Sequence, residues 1–203
     1  MKLNRTYLKL LLNRSREFPR IAFYAVIKKI FFRFCPIEQE PVVLVYKTNI
    51  MTTTEQRISI LEKGQNALKA LYGLGAYVNK STIEKPLREL VSFRVSQLNG
   101  CGFCVDMHAK DARSMGETEQ RLFGLSCWRE TPYYSERERA ALAWAEAVNG
   151  CHVTDELYAD VEQYFSEQEL IDLVMSISAT NAWNRLNIAF ATTAGTYSVG
   201  QFG

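Results

Sequence analysis

From Glu55 to Tyr77 the apolar residues Ile58, Leu61, Ala67, Leu68 and Leu71 fall on one helical face, with Gly73 and Gly75 as end signals. A second helix opens at Pro86, carries Leu87, Leu90, Val91, Val95 and Leu98, and stops at Asn99-Gly100. Cys101 therefore begins a new segment, which runs to Met115 and is closed by Gly116. Ser135-Glu-Arg-Glu138 and Ser166-Glu-Gln-Glu169 both fit the capping box, in which hydroxyl and carboxylate satisfy each other's orphan backbone donors. They announce a helix bearing Ala141, Leu142, Trp144, Ala145 and Val148 up to Gly150, and another bearing Leu170, Ile171, Val174 and Ile177. Thr154, followed by Asp155 and Glu156, starts a shorter helix between them. Outside Pro41 to Tyr46 no stretch alternates with period two, and no repeat of about 20–50 residues stands out. The pattern predicts an all-α domain.

Composition divides this picture in two. The chain has 203 residues, 47% apolar and 23% charged, enough for one domain with a real core. Its net charge of +2 hides a contrast: residues 1–50 hold ten basic and three acidic side chains, while residues 51–203 hold 14 and 19. The first part is a basic extension, expected to be poorly ordered or outside the native product, since Met51-Thr-Thr-Thr reads as a natural beginning. Its stretch Tyr24 to Arg33 also has the composition of an amphipathic helix at an anionic membrane surface. Lys28, Lys29 and Arg33 interrupt the most apolar run, which excludes a membrane span there, and no small-residue cleavage site follows it. The domain proper, residues 51–203, has net negative charge and no glycine-rich phosphate loop, which disfavours nucleotide and nucleic-acid binding.

Of the five cysteines only Cys101 and Cys104 are closely spaced; Cys35, Cys127 and Cys151 stand alone, which argues against a secreted disulfide scaffold. Residues three or four apart share a helix face, so Cys101 can meet Cys104, and His108 follows Cys104 by one turn. A thiol in the first helical turn is stabilised as thiolate by unpaired backbone N–H groups. Glu89 precedes Cys101 by twelve residues, and the break at Asn99-Gly100 lets its helix fold back, so that its carboxylate can join a proton relay with His108. Two other readings stay open. Cys101, Cys104, His108 and Glu89 are also a possible zinc set, although structural zinc sites more often join two separated ligand pairs. The cysteine pair can equally be a redox sensor whose disulfide changes partner binding without turnover.

Elsewhere the aromatics Trp128, Trp144, Trp183, Tyr133, Tyr134 and Tyr158 suit the core better than a ligand pocket. Asn184 and Arg185 fit an interface, a pocket or a solvated helix face; His152 reads as a loop histidine and Cys151 as a buried thiol.

The run Leu87 to Arg113, with its Glu89 and then Ser96-Gln-Leu-Asn-Gly-Cys101-Gly-Phe-Cys104-Val-Asp-Met-His108, resembles the alkylhydroperoxidase AhpD-like branch of the carboxymuconolactone decarboxylase family. The likeness extends from about residue 55 to about 195, and Asn181 to Ala189 resembles the closing helix of that family. It implies an oligomeric all-α bundle in the cytoplasm that reduces an organic hydroperoxide to an alcohol and water, with no metal or organic cofactor. In such a protein Cys104 attacks the peroxide, Cys101 resolves the sulfenic acid as a disulfide, and Glu89 and His108 relay the proton. A lipoyl-bearing protein or another dithiol carrier then re-reduces the site. Phe103 departs from the pattern, standing where the best-studied AhpD enzymes have a histidine, so a second imidazole is absent.

Overall fold

The structure, a computed structural model, describes residues 55–202. The readings made for residues 1–50 fall outside this range. Eight α-helices and one 3-10 helix make up the described elements, with no strand among them. They are α1 (Ile60–Lys63), α2 (Gln65–Asn79), α3 (Lys85–Asn99), α4 (Gly102–Ser114) and α5 (Glu119–Gly124), which runs into the 3-10 helix Leu125–Glu130. After these come α6 (Glu136–Asn149), α7 (Asp155–Val161) and the long α8 (Glu167–Ala189). None of the described helices is long and apolar enough to cross a membrane.

Local chemistry explains most boundaries. Both capping boxes form: Ser135 and Glu138 open α6, and Ser166 and Glu169 open α8. Thr154 caps α7, and Thr118 caps α5, a helix the sequence pattern did not announce. Pro86 sits in the first turn of α3, where its missing N–H costs nothing.

The predicted helix from Glu55 to Tyr77 is divided and shifted. Gly64 separates α1 from α2, and a Cβ there would lie 2.8 Å from the carbonyl oxygen of Ile60. Gly73 and Gly75 do not end α2, which continues to Asn79. Each glycine weakens a helix by roughly 1 kcal/mol relative to alanine. Tertiary bonds beyond them outweigh that local signal: the Tyr77 hydroxyl donates to Asp172 Oδ1 at 2.7 Å, tying the end of α2 to α8. Of the α2 residues only Leu68 is fully buried.

The central element is α3. One side of it, with Leu87, Val91 and Val95, packs on Ala141, Trp144 and Ala145 of α6 and on Leu170, Leu173 and Ile177 of α8. Another side, through Leu90 and Phe93, meets Ala112 of α4, Leu142 of α6 and the α5 region's Leu122, Leu125 and Trp128. Burying a leucine of this kind contributes about 1.5–3 kcal/mol, so these layers hold α3 firmly in place. Leu98 and Ile171, placed on apolar faces by the pattern, are exposed.

Candidate functional site

The site begins at the joint between α3 and α4. Gly100 takes φ 71°, a left-handed conformation that suits glycine and turns the chain sharply at the end of α3. Cys101 is thereby placed at the N-cap of α4, and its Sγ accepts a hydrogen bond from the Cys104 backbone N–H at 3.4 Å. The two cysteines are joined as a disulfide with a Cα–Cα distance of 5.3 Å. Both residues are buried, and Asn187 Nδ2 of α8 donates to Cys104 Sγ at 3.4 Å.

Because α4 folds back along α3, Glu89 and His108, nineteen residues apart, lie side by side, with 2.7 Å between Glu89 Oε2 and His108 Nδ1. When Glu89 is ionised its carboxylate accepts the Nδ1 proton, which fixes the tautomer and leaves Nε2 as the ring's second functional nitrogen. Both side chains are largely buried, and both line a cavity of about 490 Å³. The two cysteines do not line it. The sequence-predicted residues thus form two neighbouring pairs, a disulfide at the head of α4 and an acid–imidazole pair on its next turn.

One wall of the cavity was not foreseen from the sequence. The C-terminal segment lies along α4: Lys110 Nζ donates to the Tyr197 carbonyl at 3.0 Å, and the Gly195 N–H donates to Asp106 Oδ2 at 3.2 Å. The Tyr197 hydroxyl donates to both carboxylate oxygens of Asp111, at 2.7 and 2.9 Å. Burial and the Asp111 carboxylate push the Tyr197 hydroxyl pKa up to about 12, so it stays a donor at any physiological pH. This segment shows no periodicity, and its partners lie more than eighty residues earlier in the chain. Asn187 was likewise visible only as part of a helix.

Trp128, Trp144 and Tyr134 are core residues, whereas Tyr158 is exposed and Trp183 lines the cavity beside Tyr72. Asn184 is neither solvated nor at the cavity. It is 1% exposed, accepts from Asn99 Nδ2 at 2.8 Å and donates to Ser96 Oγ at 3.1 Å. Arg185 is exposed and, among the described residues, bonds only to Asn181 on its own helix. Cys151, expected to be buried, is exposed, with φ 53°, directly after Gly150, the C-cap of α6. Among the described residues no group of three or more His, Cys, Asp and Glu side chains is arranged to hold a metal ion.

Known proteins resemble this chain in sequence and in fold. Residues 64–147 match the model of the carboxymuconolactone decarboxylase family. The uncharacterized protein YdfG of Bacillus subtilis is 43% identical over 142 residues, which span 68% of this chain and 97% of YdfG. The crystal structure of ATU0492 from Agrobacterium tumefaciens, a protein of unknown function provisionally described as an antioxidant defence protein AhpD, superposes with a TM-score of 0.67 at 36% identity. That match covers 70% of this chain and all of ATU0492. The debrominase Bmp8 shares the fold at 22% identity and a TM-score of 0.61, over 67% of this chain and 75% or slightly less of Bmp8. With the matched helices, the cysteine pair and the neighbouring Glu89 and His108 all in place, this chain belongs to the carboxymuconolactone decarboxylase family, in its AhpD-like branch.

Proposed function

We propose that the protein is a thiol-dependent peroxidase that reduces organic hydroperoxides by cycling Cys101 and Cys104 between dithiol and disulfide. The observation that carries this reading is the placement of that cysteine pair at the head of the helix that, one turn later, presents His108 hydrogen-bonded to Glu89. The provisional AhpD description of ATU0492 supports the same chemistry.

In the first step the Cys104 thiolate attacks the terminal oxygen of the hydroperoxide. The O–O bond breaks, Cys104 becomes a sulfenic acid, and the departing alkoxide takes a proton relayed through His108 and Glu89, leaving as the alcohol. In the second step Cys101 attacks the sulfenic sulfur. The S–S bond forms and hydroxide leaves with the Cys101 proton as water. The N-cap position suits Cys101 to this task, because the Cys104 N–H that donates to its sulfur favours the thiolate. A dithiol of the dihydrolipoyl class, free or carried on a protein, then returns two electrons and two protons. On this reading the dithiol is the whole redox apparatus, the protein works as a homo-oligomer, and its place is the cytoplasm.

Steady-state consumption of cumene hydroperoxide with dihydrolipoamide as donor tests the reading. Cys101→Ser and Cys104→Ser should each lose turnover, while Cys127→Ser and Cys151→Ser retain it. Equal activity in all four variants would refute the assignment. The disulfide-bonded pair is also compatible with a second reading, a redox sensor whose disulfide alters partner binding. A sensor consumes about one equivalent of peroxide and stops with reductant still present.

A further inference from the structure

Lys85, Arg88, Glu89 and Ser92 stand at i, i+3, i+4 and i+7 of α3, and all four line the cavity. The charged groups in the cavity walls differ in how they are satisfied. Glu89 is bonded to His108, and Asp111 to the Tyr197 hydroxyl. Asp172, the other acid whose charge reaches Arg88, is occupied by Tyr77, Thr82 and Gln168.

Arg88 is treated otherwise. It is 8% exposed, yet among the described residues it makes no ion pair, while nine other ion pairs form there. Only Nη1 has partners, the Val78 carbonyl and Ser81 Oγ, and Nε is buried with none. Burial lowers its pKa, but a guanidinium keeps its proton in proteins, so the charge remains and calls for an anion. A purely structural arginine tethering the end of α2 would need no more than Nη1. Lys85 at the exposed rim adds a second cation without an ion-pair partner among the described residues.

We propose that this cavity binds an organic monocarboxylate, with the carboxylate on the Arg88 guanidinium and the apolar body along Met107, Trp183 and Phe202. The planar fork of arginine matches a carboxylate. Glu89 and Asp111 in the same cavity oppose a doubly charged phosphate, and the apolar walls oppose a small inorganic anion. A volume of about 490 Å³ lies within the usual range of small-molecule sites. Resting on the peroxidase reading for its reactive end only, the inference makes the substrate a carboxylate-bearing hydroperoxide: its carboxylate and apolar body lie in this cavity, and its peroxide end extends past Glu89 and His108 to reach Cys104, which does not line it.

The test uses unreactive probes on the whole chain, so it does not depend on turnover. Calorimetry should show octanoate binding at least tenfold more tightly than octan-1-ol, and Arg88→Gln should reduce that preference to within twofold. On the wild-type protein, the Nε–H resonance of Arg88, assigned from its loss in Arg88→Lys, should shift with octanoate and not with octan-1-ol. This second measurement stands even if Arg88→Gln does not fold. Equal affinity for the two probes, an unchanged preference in folded Arg88→Gln, or an unmoved Arg88 resonance overturns the proposal. A carboxylate preference in a protein that fails to reduce any hydroperoxide would instead overturn the peroxidase reading and leave this one standing.

Discussion

Two polar clusters lie in this helical domain, and they are built on opposite principles. In the first, Asn99 is the hub: it donates to Asn181 Oδ1 and Asn184 Oδ1 and accepts from Asn149 Nδ2, while Asn184 donates on to Ser96. These amides hold the ends of α3 and α6 against α8; of their fully buried side-chain polar atoms only Asn149 Oδ1 lacks a partner among the described residues. The second cluster, Glu89, His108 and Arg88, sits beside open space with donors left over. Buried polar groups that consume each other's hydrogen bonds stabilise a fold. Those that stop short of doing so next to a cavity mark where another molecule belongs.

Substitutions can break that contrast. The largest expected effect is His108→Ala, which should lower kcat/KM for a hydroperoxide by about 10²–10⁴-fold, the usual worth of general acid–base catalysis, while leaving the thermal midpoint nearly unchanged. Asn184→Ala should do the reverse. It leaves Asn99 Nδ2 and Ser96 Oγ short of partners, costing about 3 kcal/mol in a urea titration if each orphan costs about 1–3 kcal/mol. Comparable activity losses in both variants would erase the distinction between the clusters.

Tyr197→Phe should cost about 1–2 kcal/mol of stability through the lost bond to Asp111, seen as a lower urea midpoint at pH 7. The sign with pH is fixed by the raised hydroxyl: its contribution is complete below pH 10 and fades as pH climbs through about 12. The smallest effect concerns Asp172. Burial alone would raise its carboxyl pKa, but donors from Tyr77, Thr82 and Gln168 hold it below the ordinary value of 3.8. Its stabilising contribution is therefore present above that value and lost as pH falls through the depressed one. The gap in urea stability between wild type and Asp172→Asn should shrink as pH is lowered from 7 toward 3.

What could be read directly from the sequence was local. Ser135 with Glu138, Ser166 with Glu169, and Asn99-Gly100 set helix ends through bonds spanning three or four residues, and the structure has all of them. Gly73 and Gly75 misled because a hydroxyl beyond them, on Tyr77, is anchored by a carboxylate ninety-five residues away. The helix after Thr118 escaped notice for want of a carboxylate at its third position: Arg121 stands there, so no capping box announces it. At the site, the cysteine spacing was plain, and the approach of Glu89 to His108 followed from the predicted fold-back. The Tyr197 wall and Asn187 were not legible, because each reaches α4 from the far end of the chain.

The most direct test of the central claim follows the reduced protein through one exposure to hydroperoxide and then through many. Peptide mapping after alkylation should show Cys101 and Cys104, and no other pair, joined as one alcohol appears per protein. Addition of dihydrolipoamide should then carry alcohol production far beyond one equivalent. A disulfide formed elsewhere, or alcohol that stays at one equivalent with dithiol in excess, would contradict the account.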